Sequence, residues 1–477
     1  MLGGGPEFLG DNRAFLERHP EVDAVIRGEG EQAFVQWLRL MDQPEQQAGI
    51  PGFCGLIDGR YVDNGMAEGV EHLDDIPSPY PKHLEGFRKP FVLLETSRGC
   101  SNRCAFCTSG AGGGVRWFSL ERSSPLERSS SLERVRRDVQ LIRAQGVPEV
   151  RLVDRTFNAR PARCLALLRF FRDECKPLRF HLEIDPARLT PDFIAELAAA
   201  EPGRFHLEVG IQSLNPKVIR AIGRQGTVRR ALAGLTRLCA HRQLATHVDL
   251  IAGLPGGALP DLFEDLRTLV RLRPDEIQLE LLKLLPGTRL AAEKDRWQIV
   301  AAPEPPYEVL RTATMTMDDL ETARGLSNLV DWFYNVPELQ ALIVAATRRI
   351  PGFWKELILF GGSVALAVAA PSLENRFRLL DDFFRDRDAG NGRDAGSDRD
   401  LLLRHALHYA WLKHGFSAQH GICRAFPWKG PIPGSAVLVE GEAAVRPARV
   451  FRADLDRSYL FVYARERPAA AVYRLEE

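Results

Sequence analysis

The chain has 477 residues, of which 45% are hydrophobic and 26% are charged, as expected for a globular protein with a sizeable core. Its 63 basic residues balance its 63 acidic residues, so the overall charge does not favour nucleic acid or an anionic surface as a partner. Eight cysteines in a chain of this length exclude a disulfide-rich scaffold and fit a reducing compartment, so we expect a cytoplasmic protein.

The chain start and the most apolar segment both argue against export or membrane insertion. Residues 1–6 lack the basic region and the apolar core of a signal peptide. The most apolar window, residues 357–370, contains two adjacent glycines and is shorter than the ~20 residues that cross a bilayer. We therefore expect a buried helix there and no membrane span.

Residues 1–50 combine a Gly-Gly-Pro-Glu start with a short strand, Val22–Ile26, and the turn motif Gly28-Glu29-Gly30-Glu31. This pattern resembles the closing part of a Rossmann-like cobalamin-binding domain and implies a remnant of one. The cofactor loop of that family, Asp-x-His-x-x-Gly, is absent from the sequence. Cobalamin binding by this chain is therefore left open, and a truncated start, a misassigned start or a lost domain would each explain the pattern.

Residues 51–90 are predicted to be an extended linker, because they contain the proline-rich segment Ile76–Pro81. An apolar run at 91–94 then predicts a short buried strand, which leads directly into three closely spaced cysteines, Cys100, Cys104 and Cys107. Three thiolates on one loop can hold three corners of a cubic iron–sulfur cluster, whereas a cluster that only carries electrons usually has four cysteine ligands. The spacing therefore predicts an iron that is open to a substrate or cofactor.

The pattern Cys-x3-Cys-x2-Cys, with Phe106 before the last cysteine, resembles the cluster loop of radical S-adenosylmethionine (SAM) enzymes. The resemblance implies a [4Fe-4S] cluster whose open iron chelates the amino and carboxylate groups of SAM. The alternative is half of a zinc site, since Cys104-x2-Cys107 alone would fit one. Zinc would need a second ligand pair, and the sequence contains no other Cys-x2-Cys.

Six apolar runs between residues 91 and 290 alternate with mostly helical patterns and predict parallel strands with crossover helices. The runs lie at 91–94, 149–153, 178–184, 205–211, 246–251 and 276–282. We therefore expect an α/β fold with a partial (β/α)6 TIM-like barrel, and chemistry at the carboxyl ends of its strands.

Strand alternation places polar residues on one inner face of three successive strands. The three sets are His181, Glu183 and Asp185; Glu208, Gly210 and Gln212; and His247, Asp249 and Ile251. Because buried polar groups need partners, this face indicates a polar ligand inside the barrel. Solvated strand ends that bond one another are the alternative.

The same strands resemble the SAM pocket of the coproporphyrinogen-dehydrogenase type of radical SAM enzyme. The resemblance implies SAM contacts from Glu183, Gln212, Arg224 and Asp249, with Arg224 on the helix after the fourth strand. Glu208 shares the inner face with Gln212, and Gly253 would let the backbone approach the adenosine. The second strand ends in Asp154-Arg155-Thr156-Phe157, like a variant in the cobalamin-type branch, which makes Asp154 the candidate for the SAM ammonium.

Residues 291–477 are predicted to form a mixed α+β domain that resembles an uncharacterised C-terminal domain of cobalamin-type radical SAM proteins. We expect helices at 307–317, 337–348, 354–370 and 401–413, a disordered linker at 385–400, and strands near 436–439, 450–453 and 459–463. The tandem repeat at 120–134 is predicted to be a solvated insertion. His420-x2-Cys423 has the spacing of two metal ligands, but an isolated His-x2-Cys pattern is more often a coincidence.

The resemblance implies an enzyme that reductively cleaves SAM, with cobalamin-dependent methyl transfer as one outcome. The alternative reaction is hydrogen abstraction by a 5′-deoxyadenosyl radical. The alternatives to an active enzyme are a non-catalytic iron–sulfur protein and an inactive fragment. We expect a reducing partner such as flavodoxin or ferredoxin, and no basic, aromatic-rich pattern indicates nucleic acid. The sequence does not identify the substrate.

Overall fold

The structure is a computed structural model. It describes residues 1–80, 89–110, 114–118, 131–362, 370–390, 398–416, 421–423, 425–433, 435–441, 447–464 and 469–475. The chain divides into two compact units. The first unit comprises residues 1–265 and 279–320, and the second comprises residues 266–278 and 321–477.

The first unit begins with a four-stranded sheet in the order β1-β2-β3-β4. Its elements are β1 (Leu2–Gly4), α1 (Arg13–Arg18), β2 (Ala24–Ile26), α2 (Gly30–Arg39), α3 (Pro44–Gln47), β3 (Phe53–Ile57) and β4 (Arg60–Asp63). Strands β1 and β2 are parallel, whereas β3 pairs antiparallel with β2 and with β4. Apolar residues of β2, α2 and β3 form the core of this sheet.

Residues 53–63 therefore belong to the N-terminal sheet, although the sequence predicted a linker from residue 51. The hairpin turns at Asp58 and Gly59, whose φ angles of 49° and 74° fit the two-residue turn that Asp-Gly favours. The Asp-Gly pair is a sequence signal for a β-hairpin, but the linker was predicted from the proline-rich segment further along the chain.

The barrel sheet contains six strands in the order β12-β11-β10-β9-β8-β5, which confirms the predicted partial barrel. The strands are β5 (Val92–Leu94), β8 (Glu149–Leu152), β9 (Arg179–Ile184), β10 (Phe205–Gln212), β11 (Ala245–Ala252) and β12 (Glu276–Leu281). A two-stranded ribbon, β6 (Ser97–Arg98) with β7 (Arg116–Trp117), flanks the cysteine loop. The helices are α4 (Ser131–Ala144), α5 (Pro161–Glu174), α6 (Pro191–Ala198), α7 (Pro216–Ala221), α8 (Val228–Cys239) and α9 (Leu259–Leu272).

Parallel pairing joins β5 to β8, β8 to β9, β9 to β10 and β10 to β11. Burial alternates strictly along β10 and β11, because successive side chains point to opposite faces of the sheet. The less buried face carries His206, Glu208 and Gln212 of β10 and His247 and Asp249 of β11. The register places Glu183 beside Glu208, and Glu208 beside His247. The polar inner face that the sequence predicted therefore exists as one continuous surface.

The first unit continues to Leu320, beyond the boundary predicted at residue 290. After α10 (Arg289–Ala292), the strands β13 (Val300–Ala301) and β14 (Val309–Arg311) pair antiparallel. The amide of Val309 donates to the carbonyl of Leu282 at 2.9 Å, which ties this hairpin to the end of the barrel sheet. The helix predicted at 307–317 is replaced by β14 in its first part, where Pro305 and Pro306 precede β-branched Val309.

The second unit contains helices and an antiparallel sheet in the order β15-β17-β18-β19-β16. Its helices are α11 (Met317–Leu329), which begins in the first unit, α12 (Pro337–Arg349), α13 (Phe353–Gly361), α14 (Leu373–Gly390) and α15 (Asp398–Lys413). Its strands are β15 (Phe426–Pro427), β16 (Val437–Glu440), β17 (Pro447–Asp454), β18 (Ser458–Ala464) and β19 (Ala471–Arg474). The helices predicted at 337–348 and 401–413 and the three predicted strands are confirmed.

The linker predicted at 385–400 is partly helical, since α14 runs to Gly390 and α15 starts at Asp398. Arg385 pairs with Asp381 at 2.7 Å across one helical turn, so the mixed charges support a helix. Four of the predicted features lie wholly or partly outside the described residues. They are the middle of the linker (391–397), most of the tandem repeat, the end of the helix predicted at 354–370, and His420. None of the described helices combines the length and hydropathy that a bilayer-spanning segment needs.

Candidate functional site

The cysteine loop begins with a glycine that no other residue can replace without moving the backbone. Gly99 lies between β6 and Cys100 and has a φ of 94°, in the left-handed region that favours glycine. A Cβ at this position would lie 2.1 Å from the carbonyl oxygen of Gly114. The chain can therefore turn out of β6 into the three cysteines only with glycine here.

The three cysteine side chains line one cavity of about 150 Å³. The backbone amide of Asn102 donates to Cys100 Sγ at 3.4 Å, and Thr156 Oγ1 lies 3.3 Å from the same sulfur. Burial raises the pKa of the Cys104 thiol, and the Arg224 guanidinium, 3.8 Å from its sulfur, opposes that rise. The other five cysteines are buried and do not line this cavity.

This donor set fits an iron–sulfur cluster better than a structural zinc site. A tetrahedral structural zinc site needs a fourth cysteine or a histidine. Among the described residues that line the cavity there is neither. Three sulfur ligands beside an otherwise polar cavity match a cluster with one open corner.

Most of the predicted cofactor-binding residues come together in this cavity. Those that line it are Phe106, Glu183, Glu208, Gln212, Arg224 and Asp249. They meet because the carboxyl ends of adjacent parallel strands lie along one edge of the sheet. The cavity also contains Asp185, which the sequence placed on the polar inner face, and Asn102, Arg155 and Thr156, to which the sequence predictions gave no role in binding.

Gln212 is held in a strained conformation that directs its amide into the cavity. Its φ is 68°, and the register of β10 against β11 shifts between Gly210 and Gln212. Such a conformation in a residue other than glycine costs about 1–3 kcal/mol and is concentrated at functional sites. Its Oε1 atom is buried and has no hydrogen-bond donor among the described residues. A ligand with an N–H or O–H group would satisfy it.

Arg224 lies just beyond α7, and not on the helix after the fourth strand as the sequence predicted. The helix begins at the Asn215 cap, whose Oδ1 accepts from the amide of Lys217 at 2.9 Å, and it ends before Gly223, with a φ of 71°. Arg224 Nη2 donates to the carbonyl of Gly210 at 2.8 Å. This bond fixes the guanidinium between β10 and the Cys104 sulfur.

Three carboxyl groups of the inner face, those of Glu183, Glu208 and Asp249, differ in the direction or size of their pKa shifts. Burial and the nearby Glu208 and Glu183 raise the pKa of Asp249 to about 8, so this group keeps its proton at neutral pH. Burial also raises the pKa of Glu183, although Arg155 donates to it at 2.9 Å. By contrast, His181 lies 2.8 Å from Glu208 and lowers the pKa of that carboxyl. The cavity thus offers both a carboxyl donor and carboxylate acceptors.

Asp154 and Gly253 do not line the cavity. Asp154 is fully buried and accepts from the amide of Thr96 at 2.7 Å, from Thr96 Oγ1 at 2.5 Å and from Ser97 Oγ at 2.6 Å. Burial raises the pKa of this carboxyl despite the donors. The geometry does not support the predicted contact with the SAM ammonium, because both oxygens of Asp154 are directed at the start of the cysteine loop. Gly253, with a φ of 87°, ends β11.

The Gly-Glu-Gly-Glu motif of the N-terminal segment also supports this loop. Arg98, which precedes Gly99, donates to Glu29 at 2.9 Å and to Glu95 at 2.8 Å, and it lies 2.8 Å from Glu31. Arg116 of β7 donates to both oxygens of Glu29. The carboxylates of the motif therefore hold the β6–β7 ribbon from which the cysteines project.

Two family models match separate parts of the chain. Residues 94–269 match the radical SAM superfamily, and residues 295–416 match a protein of unknown function, DUF4080. An uncharacterized methyltransferase of Pyrococcus horikoshii is 24% identical over 300 residues, which cover 61% of this chain and 62% of the relative. The cobalamin-dependent radical SAM methyltransferase TokK of Streptomyces tokunonensis is 30% identical over 172 residues, which cover 34% of this chain and 24% of the relative.

The chain is thus similar to less than two thirds of the length of either curated relative. Among solved structures, the cobalamin-dependent SAM radical enzyme OxsB with aqua-cobalamin and SAM bound has a TM-score of 0.55 and 15% identity. The match covers 86% of this chain and 70% of that one. This likeness confirms the fold that the strand order shows.

Proposed function

We propose that this protein, a radical SAM enzyme by its superfamily match and its fold, binds a [4Fe-4S] cluster through Cys100, Cys104 and Cys107 and reductively cleaves SAM. The observation that supports this proposal most strongly is the shared cavity, in which three thiols face the polar strand ends of β9, β10 and β11. When bound, such a cluster supplies one electron to the sulfonium of SAM through the iron that lacks a cysteine ligand. We propose flavodoxin or ferredoxin as the source of that electron.

The residues of the chain would bind and orient SAM. Arg224, already fixed beside the Cys104 sulfur, carries the charge to pair with the methionine carboxylate. The unsatisfied Gln212 Oε1 accepts from the ammonium or from a ribose hydroxyl. Glu183 is available as a second acceptor. Phe106 contributes an apolar wall next to Cys107.

The asymmetry between these groups has a chemical consequence. A cation such as the SAM sulfonium is favoured where carboxyl groups outnumber basic groups. The cavity is lined by four carboxyl groups, those of Glu183, Asp185, Glu208 and Asp249, and by two arginines, Arg155 and Arg224. Ionisation of Asp249 would add another negative charge that only the bound cation could offset. SAM binding should therefore become coupled to loss of the Asp249 proton.

The reaction that follows cleavage is proposed to be methylation of a carbon substrate, because the relatives from Pyrococcus and Streptomyces are named as methyltransferases. The chain itself does not supply a cobalamin site of the family type. The Asp-x-His-x-x-Gly loop is absent from the sequence, and β3 and β4 run antiparallel where a doubly wound domain would continue with parallel strands.

Because the antiparallel β3 and β4 do not fit a corrin-binding sheet, a second candidate reaction is hydrogen abstraction by a 5′-deoxyadenosyl radical. The two reactions leave different products. Radical abstraction yields 5′-deoxyadenosine, whereas polar transfer of the SAM methyl group yields S-adenosylhomocysteine, and a cobalamin-dependent radical methylation that consumes two SAM molecules yields both.

The test is product analysis of anaerobically reconstituted, reduced protein that is incubated with SAM. We expect 5′-deoxyadenosine, S-adenosylhomocysteine or both, and neither from the Cys100→Ala variant. A matched control is Cys175→Ala, which removes a buried thiol of α5's C-terminal cap outside the cavity. An intact cluster with unchanged SAM would contradict the proposal and favour a non-catalytic iron–sulfur protein.

A further inference from the structure

The second unit contains a cavity of about 650 Å³ to which the proposed function gives no role. One face of α12, one face of α15 and the ends of β16 and β18 form its walls. Ligand-binding clefts in proteins typically enclose about 300–1,000 Å³, so this volume is sufficient for a small organic molecule. The cavity lies outside the part of the chain that matches the radical SAM superfamily.

The cavity exists because the facing helices present alanine at successive turns. Ala341 and Ala345 are four residues apart on α12, and Ala406 and Ala410 are four residues apart on α15. Residues with this spacing lie on one face of a helix. Close-packed interiors normally fill such space with larger apolar side chains. Four alanines therefore leave an open floor between two otherwise well-packed helices.

The charged residues of the lining give the cavity a negative character. Three carboxylates line it, Glu338 on α12, Glu440 at the end of β16 and Asp456 in the turn between β17 and β18. The single ammonium group, that of Lys413, pairs with Glu440, whose other oxygen accepts from the Tyr409 hydroxyl at 3.0 Å. Within the described ranges, no lysine or arginine pairs with Glu338 or Asp456.

Two histidines in the lining do not offset this negative charge. Burial lowers the pKa of His405 and also that of His414, and the nearby His408 and Lys413 act in the same direction. Asp456 opposes the shift of His405, and Glu338 and Glu440 oppose that of His414, but the net direction is downward for both. Both imidazoles are therefore neutral at neutral pH. The buried Nδ1 atom of His405 has no hydrogen-bond partner in the described part of the chain.

Two aromatic rings complete the lining. The rings of Tyr409 and Tyr459 are 5.3 Å apart, with an angle of 79° between their planes. The face of an aromatic ring attracts cations, and carboxylates nearby add to that attraction. The Tyr459 hydroxyl donates to Asp456, which leaves that carboxylate negatively charged. Alanine methyl groups, tyrosine rings and the carboxylates of Glu338 and Asp456 together provide an apolar floor with a negatively charged rim.

We propose that this cavity binds a small organic cation, an ammonium or guanidinium group carried on an apolar body. The positive group would lie between Glu338 and Asp456, and the apolar body would pack against the alanine floor and the tyrosine rings. An organic anion is disfavoured, because the only ammonium of the lining is already bonded to Glu440. This site is independent of the proposed SAM chemistry and can be tested without the cluster.

The direct test is isothermal titration calorimetry of the full chain with three probes of similar size and different charge. The probes are 2-phenylethylammonium, 2-phenylethanol and 3-phenylpropanoate. We expect one ammonium probe to bind per chain, at least about tenfold more tightly than the alcohol, a difference of ~1.4 kcal/mol. The carboxylate probe should give no saturable binding.

Variants locate the binding within the cavity. The double variant Glu338→Gln and Asp456→Asn should weaken the ammonium probe by at least about tenfold and leave the alcohol unchanged. Ala406→Leu, which fills the floor, should abolish the binding of both. The matched control is Glu374→Gln, on α14 outside the cavity lining, where the carboxylate pairs with Arg378.

The proposal is overturned if none of the three probes binds saturably to the folded chain, or if the ammonium binds no more tightly than the alcohol. It is also overturned if Glu374→Gln weakens the ammonium as much as the double variant does. Circular dichroism of each variant establishes that the chain is folded before titration, and the conservative double variant keeps the test valid if Ala406→Leu disturbs the helices.

Discussion

The cysteine cavity of the first unit and the cavity of the second unit differ in how their linings are distributed along the chain. Three cysteines within eight residues supply the sulfur atoms of the first cavity, and successive strand ends supply the rest. The second cavity is lined by two helices, two strand ends and a turn, which come from separate parts of the sequence. A site built on one loop and a repeated unit is visible as a motif, whereas a site defined by small residues on facing helices is not.

The largest expected effect separates the two cavities completely. Cys100→Ser should abolish iron and sulfide retention and all SAM cleavage, because two remaining thiolates cannot hold the cluster. The same variant should bind 2-phenylethylammonium with unchanged affinity in the second unit. Iron and sulfide assays with calorimetry check both expectations, and full iron content in Cys100→Ser would exclude this cysteine as a ligand.

A second variant tests whether the backbone of the loop, and not only its sulfurs, builds the first cavity. Gly99→Ala should remove most iron binding, because its Cβ would lie 2.1 Å from a backbone oxygen. Gly146→Ala is a matched control, since Gly146 also has a positive φ of 71° but has open space around its Cβ position. The control should cost only about 1–2 kcal/mol of stability. Equal iron content in both variants would contradict the steric argument.

Asp154 is expected to position the cysteine loop without contacting SAM. Asp154→Asn places an amide N–H group against donors of Thr96 and Ser97, which should lower the free energy of unfolding by about 1–3 kcal/mol. Chemical denaturation of the cluster-free protein measures this loss. Once folded and reconstituted, the variant should keep the SAM dissociation constant within about threefold. A large rise in that constant at full iron content would restore the predicted contact with the ammonium.

The last expected effect concerns pH. The folded state holds a proton on Asp249 up to about pH 8, whereas the unfolded chain releases it near the ordinary value of 3.8. The contribution of this group to stability is therefore present below about pH 4 and is lost as the pH rises towards 8. Asp249→Asn should become progressively more stable than the unsubstituted protein over this range.

Thermal unfolding of the cluster-free protein between pH 5 and pH 8 measures that difference. The exposed Asp192→Asn, on α6 and outside the cavity lining, is the control and should show no such trend. A constant difference between Asp249→Asn and the unsubstituted protein across the range would show that Asp249 has an ordinary pKa.

The barrel and the cysteine loop were predictable from the sequence because both are local patterns. Each predicted barrel strand lies within one or two residues of an observed one, and strand alternation correctly brought Glu183, Glu208 and Asp249 to one face. The cavity therefore contains all three cysteines and six of the eight residues predicted to bind the cofactor.

The remaining features depend on tertiary contacts that no local pattern encodes. Asp154 and Arg155 are adjacent in the sequence, yet the pairing of β5 with β8 buries the first against Thr96 and leaves the second beside Glu183. Arg224 reaches the cavity from a turn, because Gly223 ends α7 early. Asp58-Gly59 predicts a hairpin, but it does not show which sheet the hairpin joins. The pairing of β3 with β2 assigns the hairpin to the N-terminal sheet and so shortens the linker.

The central claim, that SAM occupies the open corner of a cluster held by three cysteines, is tested most directly by electron paramagnetic resonance. The spectrum of anaerobically reconstituted, reduced protein is recorded before and after addition of SAM at low temperature. The account predicts a [4Fe-4S]⁺ signal that changes shape with SAM and is absent from Cys100→Ser. A signal that SAM leaves unchanged, or purified protein that contains zinc in place of iron and sulfide, would contradict it.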